Sequence, residues 1–252
     1  MKIHFHVANT EKARNAYDEL IKIYGNCEVE KADVIVAVGG DGSMLRALHE
    51  SIVHHKPVYG MNRGTVGFLM NDYKVENLQE RLANAHEIKI NPLRMKVKTV
   101  EGNEYNQLAI NEVSMLRETR QAAKLSIVVD NRVRMENLIC DGVIVATPAG
   151  STAYNSSVHG SIIPLEAELL SLAPISAFRP RRWRGALVSQ NSTITIEVKE
   201  SDDRYVSAVA DFFEVRDAKT VEVSCDKSIV LSLLFDPDMN LDERIIKEQF
   251  LY

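Results

Sequence analysis

Gly39-Gly40-Asp41-Gly42-Ser43 brings together residue types suited to phosphate chemistry. The cluster stands between an apolar run, Asp33 to Val38, and a segment of helical spacing, Ser43 to Glu50. Such a turn presents backbone N–H groups at a helix N-terminus, where an anion finds donors and a favourable dipole. Glycines let the backbone come close to a phosphate. No Gly-Lys-Ser/Thr follows, so this is not a Walker A loop, and it does not match GxGxxG. Asp41 is the unusual member, because a carboxylate in a phosphate cradle repels its ligand. Accepting the proton of a hydroxyl nucleophile during phosphoryl transfer would give it a task. Capping the following helix is the plainer use of an aspartate at this position.

Two further stretches carry polar chemistry. Asp141 to Tyr154 reads as a strand running into Pro148-Ala149-Gly150 and then into a helix start rich in small residues, with Ser156 and Ser157 beyond. Gly150-Ser151-Thr152 offers backbone and hydroxyl donors, and Tyr154 an aromatic face with a hydroxyl. A capped helix with a core tyrosine fits the same residues. Asn111-Glu112 lies in a strand-like stretch, where adjacent side chains point to opposite faces, so a buried member must find a partner. A plain edge strand accounts for the pair equally well.

The elements that must position these residues fall into two textures. In the first ~90 residues, strands (Lys2 to Ala8, Asp33 to Val38, Val58 to Met61) alternate with helical segments (Thr10 to Tyr24, Ser43 to Glu50, Val75 to Ala85). Thr10 is placed to cap the first helix and Gly25 to end it. This alternation predicts βαβ units and a parallel sheet. After Asn91-Pro92 the chain reads as β-rich and mostly antiparallel. Its strands are Arg94 to Val100, Tyr105 to Ile110, Leu125 to Val129, Val143 to Thr147, Thr193 to Val198, Val206 to Ala210, Thr220 to Ser224 and Ile229 to Phe235. Glu101-Gly102-Asn103 and Asp130-Asn131 read as turns. Leu241 to Phe250 reads as a closing helix. The expected division is an α/β domain over residues 1–91, a β-rich domain over 92–226, and a segment, 227–252.

Composition narrows the function classes. The 252 residues carry a formal net charge of −5, which is no electrostatic footprint for nucleic acid. Cys27, Cys140 and Cys225 form no CxxC pair, so neither a zinc site nor a disulfide framework is expected, and a reducing, cytoplasmic setting is. No window reaches the ~18 consecutive apolar residues of a membrane span, and the N-terminus lacks the apolar region of a signal peptide. His54-His55 has no nearby partner for a metal.

In this order, the glycine turn, the Asn-Glu pair and the Asp-Gly strand before Gly150-Ser151-Thr152-Ala153-Tyr154 resemble the NAD kinase family, in its bacterial type that uses ATP or polyphosphate. The turn alone is shared with phosphofructokinases and with lipid kinases. The resemblance spans at least Val34 to Pro180. It implies an α/β domain followed by a β-rich one, with the last segment returning to pack on the first. It also implies phosphorylation of the 2′-hydroxyl of NAD's adenosine ribose by the γ-phosphate of ATP.

By resemblance, Asp41 is the base that activates the ribose hydroxyl, and Gly39, Gly40, Gly42 and Ser43 hold phosphates, with Arg46 one helical turn along. Asp41 and Gly42 also border NAD. Phe68, in Gly64-Thr65-Val66-Gly67-Phe68-Leu69, packs beside the adenine. Asn111, Glu112, Asp141, Ala149, Thr152, Ala153, Tyr154, Asn155, Ser156 and Ser157 line the NAD pocket, with Glu112 suited to ribose hydroxyls. Mg²⁺ arrives on the ATP phosphates rather than on protein ligands of its own. A homodimer or homotetramer is expected, because sites in this family combine residues of both domains and often of a neighbouring subunit. The chain departs from the family's pattern at Val158-His159-Gly160, at the basic run Arg179-Pro180-Arg181-Arg182-Trp183-Arg184, and at Asp211, where Phe212 replaces the usual glycine. The rival readings are a lipid or sugar kinase sharing the glycine turn, and a non-catalytic NAD(P)-binding sensor.

Overall fold

The computed structural model describes residues 1–65, 67–239, 243–244, 246 and 250. It divides into two compact units, Met1–Ile90 with Ile229–Tyr252, and Asn91–Ser228.

In the first unit, β1 (Ile3–Val7), α1 (Glu11–Tyr24), β2 (Val34–Gly39), α2 (Asp41–His54), β3 (Val58–Asn62), α3 (Leu78–Asn84) and β4 (His86–Ile90) follow in order. A last strand, Leu231–Phe235, pairs parallel to β3 and antiparallel to β4, giving the sheet order β1, β2, β3, last strand, β4. The ends of α1 are set by chemistry legible in the sequence. Thr10 Oγ1 accepts the Ala13 N–H, and Gly25 ends the helix at φ 69°. Ala13, Ala16 and Leu20 of α1 share a core with Val34, Val36 and Val38 of β2. Ile35 and Ala37 point to the other face and are fully buried too, as a strand covered on both sides requires.

Three features of this unit differ from expectation. α2 begins at Asp41 rather than Ser43, since an acidic residue in the first turn faces the positive end of the helix dipole. α3 is only seven residues long, preceded by Asn77 at φ 55°. β4 was not anticipated, because only Ile88 and Ile90 of His86-Glu87-Ile88-Lys89-Ile90 turn inward. The closing helix expected from Leu241 to Phe250 lies outside the described residues, apart from Glu243, Arg244, Ile246 and Phe250.

The strands of the second unit's sheets pair antiparallel throughout. Its strands are β5 (Leu93–Thr99), β6 (Glu104–Ala109), β7 (Glu112–Arg117), β8 (Ala123–Val129), β9 (Arg132–Cys140), β10 (Gly142–Ala146), β11 (Leu169–Ile175), β12 (Ala186–Ser189), β13 (Ile194–Val198), β14 (Val206–Ala210), β15 (Phe213–Val215) and β16 (Ala218–Cys225). They form two six-stranded sheets, ordered β12-β11-β10-β7-β14-β15 and β6-β5-β16-β13-β8-β9. One core draws on both sheets, with Met95, Leu125, Ile196 and Val221 from one and Val113, Met115, Val143 and Leu172 from the other. Asp130 and Asn131, at φ 52° and 60°, form the tight turn between β8 and β9, the backbone form that two-residue hairpins favour. Between β10 and β11 lie a 3₁₀ turn, Ala149–Thr152, and a single helical turn, α4 (Tyr154–Ser157). β9 escaped the sequence reading because most of its residues face solvent, so its apolar alternation is weak.

Candidate functional site

In the first unit, the parallel strands β2 and β3 both end beside the glycine turn, the end of such sheets where ligands bind. The Gly39 carbonyl accepts the N–H of Arg63 at 2.6 Å and of Gly64 at 3.1 Å, so the chain leaving β3 is laid against the turn. The N–H groups of Ser43 and Met44 return to the Gly40 carbonyl and start α2. Ser43 is buried, whereas Gly42 and Arg46 are exposed.

Asp41 does not cap its own helix. Its Oδ2 accepts the backbone N–H of Gly67 (3.2 Å) and Phe68 (3.0 Å), and its Oδ1 that of Leu69 (2.9 Å). A carboxylate has about four acceptor positions, so this arrangement fixes the group at three points and leaves one for a hydroxyl. Gly67 sits at φ 79°, and a Cβ there would fall 2.4 Å from Asn62 Nδ2, which explains the glycine. Phe68, on the turn held in this way, is half-buried. Just after β3, the Arg63 guanidinium lies 4.2 Å from the Tyr73 ring centre, with Nε buried and unpartnered among the described residues.

In the second unit, Asn111 and Glu112 lead into β7, which lies between β10 and β14 and is therefore not an edge strand. Their backbone is held from three directions. The Asp211 carboxylate accepts the N–H of Ile110 (2.7 Å), Asn111 (3.0 Å) and Glu112 (3.3 Å). Thr147 Oγ1 approaches the carbonyl oxygens of Ile110 (2.7 Å) and Asn111 (3.1 Å). Gly150 presses on the same residue, and a Cβ there would lie 2.1 Å from the Asn111 carbonyl oxygen.

The side chains held in this way have unmet hydrogen-bonding capacity. Asn111 Oδ1 and Glu112 Oε2 are buried and lack a partner among the described residues. Buried polar atoms are normally paired, so two adjacent exceptions mark a place where a ligand would supply donors. Burial, reinforced by the Asp211 charge, pushes the Glu112 carboxyl up to about 8.

The remaining residues divide by role. Thr152 and Ala153 are half-buried, while Tyr154 and Ser157 are exposed. Ser156 Oγ contacts the carbonyls of Thr152 and Ala153, and Ala149 is buried. Asn155 is fully buried; its Nδ2 donates to the Ser151 and Ser161 carbonyls, both at 3.0 Å, while its Oδ1 is buried and lacks a partner among the described residues. Asp141 is not brought to this group. It precedes β10, whose other end, Ala146, pairs with Glu112, so a strand length of roughly 16 Å separates it from the Asn-Glu pair. Its carboxylate pairs with Arg117 Nε at 2.5 Å. The sequence reading assigned Asp211 no role, because its turn lacks the expected glycine; Asp211 adopts φ 52° without one. Thr147 was read only as the end of a strand.

Comparison with known proteins places these features in a family. The model of the ATP-NAD kinase N-terminal domain matches residues 2–90, and that of the ATP-NAD kinase C-terminal domain matches residues 110–229. The chain is 53% identical over 249 residues to a NAD kinase of Caulobacter vibrioides, covering 99% of this chain and 96% of the relative. It is 55% identical over 243 residues to a NAD kinase of Rhizorhabdus wittichii, covering 96% and 95%. Among solved structures, yeast NADH kinase complexed with NADH superimposes with a TM-score of 0.83 at 21% identity, covering 98% of this chain and 86% of that one. A NAD kinase from Archaeoglobus fulgidus in complex with ATP gives a TM-score of 0.75 at 22% identity, covering 98% of both chains. At such low identity these two structures speak for the fold.

Proposed function

The chain belongs to the NAD kinase family, and from that premise we infer that it is an enzyme transferring a phosphoryl group to NAD. In this reading the acceptor is the 2′-hydroxyl of the adenosine ribose and the donor is ATP, with polyphosphate as a possible substitute. The 2′-oxygen attacks the γ-phosphorus and forms the new P–O bond, the β–γ bridging bond breaks, and ADP leaves. Asp41 takes the hydroxyl proton through the acceptor position that its three backbone donors leave open. Backbone amides at the start of α2, together with Gly39, Gly40, Gly42, Ser43 and Arg46, face the donor phosphates and stabilise the transferring charge.

Phe68 packs beside the adenine, and the unpartnered Asn111 and Glu112 oxygens accept hydrogen bonds from NAD. Thr152, Ala153, Tyr154 and Ser157 line the same ligand, while Ala149, Asn155 and Ser156 shape the backbone behind them. Asp141 stands at the far end of β10 from the Asn-Glu pair. This supports its serving a neighbouring subunit in a homodimer or homotetramer. Among the described residues no group of three or more His, Cys, Asp or Glu side chains is placed to hold a metal ion. In this reading a divalent ion such as Mg²⁺ arrives on the ATP phosphates. No described helix is long and apolar enough to cross a membrane, and all three cysteines are free, which supports a cytoplasmic setting.

The observation that carries the catalytic assignment is the fixed Asp41 carboxylate at the mouth of the glycine turn. The test is NADP formation from NAD, ATP and Mg²⁺ by purified protein, read with an NADP-specific dehydrogenase. Asp41→Asn is expected to abolish turnover and, because its amide keeps one acceptor oxygen where the carboxylate takes the N–H groups of Gly67, Phe68 and Leu69, to weaken NAD binding without removing it. Near-native turnover by D41N would remove the general-base role. NAD binding by the wild type without any NADP, from ATP or polyphosphate, would favour the sensor.

A further inference from the structure

The turn that carries Phe68 and steadies Asp41 is held from a second side by a residue far away in sequence. Arg244 Nη1 donates to the carbonyl oxygens of Gly67 and Met70, both at 2.8 Å. Four consecutive residues are thus gripped by opposite charges, with the Asp41 carboxylate on their N–H groups and the Arg244 guanidinium on their carbonyls. In the Gly67–Phe68 peptide group the N–H meets the Asp41 anion and the carbonyl meets the Arg244 cation, so the two charges polarise that group in the same sense and each contact strengthens the other. Asp72 lies 3.7 Å from Arg244 but is 73% exposed, so the ion pair between them is a weak tether. The carbonyl contacts are what hold Arg244 in place.

We propose that Arg244 is a positioning residue for the NAD side of the reaction. It acts through the turn of residues 67–70 on the ring of Phe68 and on the orientation of the Asp41 carboxylate. The proposal rests on the kinase reading given above. Among the described residues, the hydrogen bonds and ion pair of Arg244 go to residues 67–72 and none goes to Gly39–Ser43. Its effect is therefore confined to the acceptor side. Asp41 and Arg244 flank the turn from positions near opposite ends of the chain, so the last segment contributes to the site without touching a substrate.

The test compares wild type, Arg244→Ala and Arg244→Lys for kcat, KM for NAD, KM for ATP and thermal midpoint. Loss of two charge-assisted hydrogen bonds predicts that R244A raises KM for NAD by about tenfold and lowers kcat, with KM for ATP within about twofold of wild type. R244K, whose ammonium can donate to both carbonyls from one nitrogen, is expected to restore part of the loss. If R244A does not fold, the same split between the two KM values in R244K decides the matter. The proposal is overturned if NAD and ATP parameters worsen together, if they follow only the thermal midpoint, or if neither variant alters KM for NAD. A wild type that forms no NADP would instead overturn the kinase reading, which the first assay of the series detects separately.

Discussion

The carboxylate of Asp211 receives the backbone N–H of Asn111 at 3.0 Å, across 100 residues of sequence. The same carboxylate takes the N–H groups on either side, so a hairpin tip between β14 and β15 sets the backbone from which Asn111 and Glu112 project. Asp211→Ala leaves three donors without their acceptor. The expected cost is about 1–3 kcal/mol of stability, seen as a lower urea midpoint, together with a raised KM for NAD. An unchanged KM would show that the Asn-Glu backbone holds its place without Asp211.

The Glu112 carboxyl gives the protein a pH signature. Burial, with the Asp211 charge added, raises it from an ordinary 4.5 to about 8 in the folded chain. The folded state therefore keeps a proton that the unfolded chain releases. The stabilisation is fully present below about 4.5 and declines as pH rises through about 8. The thermal midpoint should fall over that window, and Glu112→Gln should flatten the fall. Ribose hydroxyls donating to Glu112 favour its ionised form, so NAD binding below about pH 8 should release protons. Calorimetry in two buffers of different ionisation enthalpy reads that release, and its absence would place NAD away from Glu112.

Gly150 has no room for a side chain, because a Cβ would stand 2.1 Å from the Asn111 carbonyl oxygen. Gly150→Ala should push the Asn-Glu backbone aside, costing about 1–3 kcal/mol of stability and weakening NAD binding more than ATP binding. Equal losses for both substrates would point to general unfolding of the second unit instead.

A buried network around Asp236 helps to fix the first unit. The Asp236 carboxylate pairs with Arg81 Nη2 at 2.5 Å and accepts the Tyr59 hydroxyl at 2.7 Å. Asp236→Ala leaves a cation stranded where it is only 14% exposed. The expected loss is about 3–5 kcal/mol, read as a large drop in thermal midpoint. Replacing Asp236 and Arg81 together by apolar residues should recover part of it, and failure to recover would mean that the network acts through more than its charge.

Where a local rule suffices, the sequence was readable by itself. Thr10 and Gly25 bracket α1 because capping chemistry acts within one helical turn. The unbroken Val34–Val38 run signals a strand buried on both faces, and Asp130-Asn131 signals a tight hairpin, since each reflects the covalent preferences of a few residues. The glycine turn, the Asn-Glu pair and the Gly-Ser-Thr-Ala-Tyr segment pointed to the family by their resemblance to it, and the family models match the chain over residues 2–90 and 110–229.

What the sequence could not determine was which groups those residues would meet. Asp41 could also be read as a helix cap, and only the fold brings the N–H groups of Gly67, Phe68 and Leu69 to its carboxylate. Asp211 and Thr147 showed no local signal, yet both hold the Asn111 backbone. Asp141 matched the pocket motif, but the length of β10 carries it away from the Asn-Glu pair. Residue type and local spacing fix the backbone preferences and the chemical capacity of each side chain. Partners separated by 26 to 177 residues are set by strand register and chain return, which depend on the burial of whole sheets and are decided only when the tertiary structure forms.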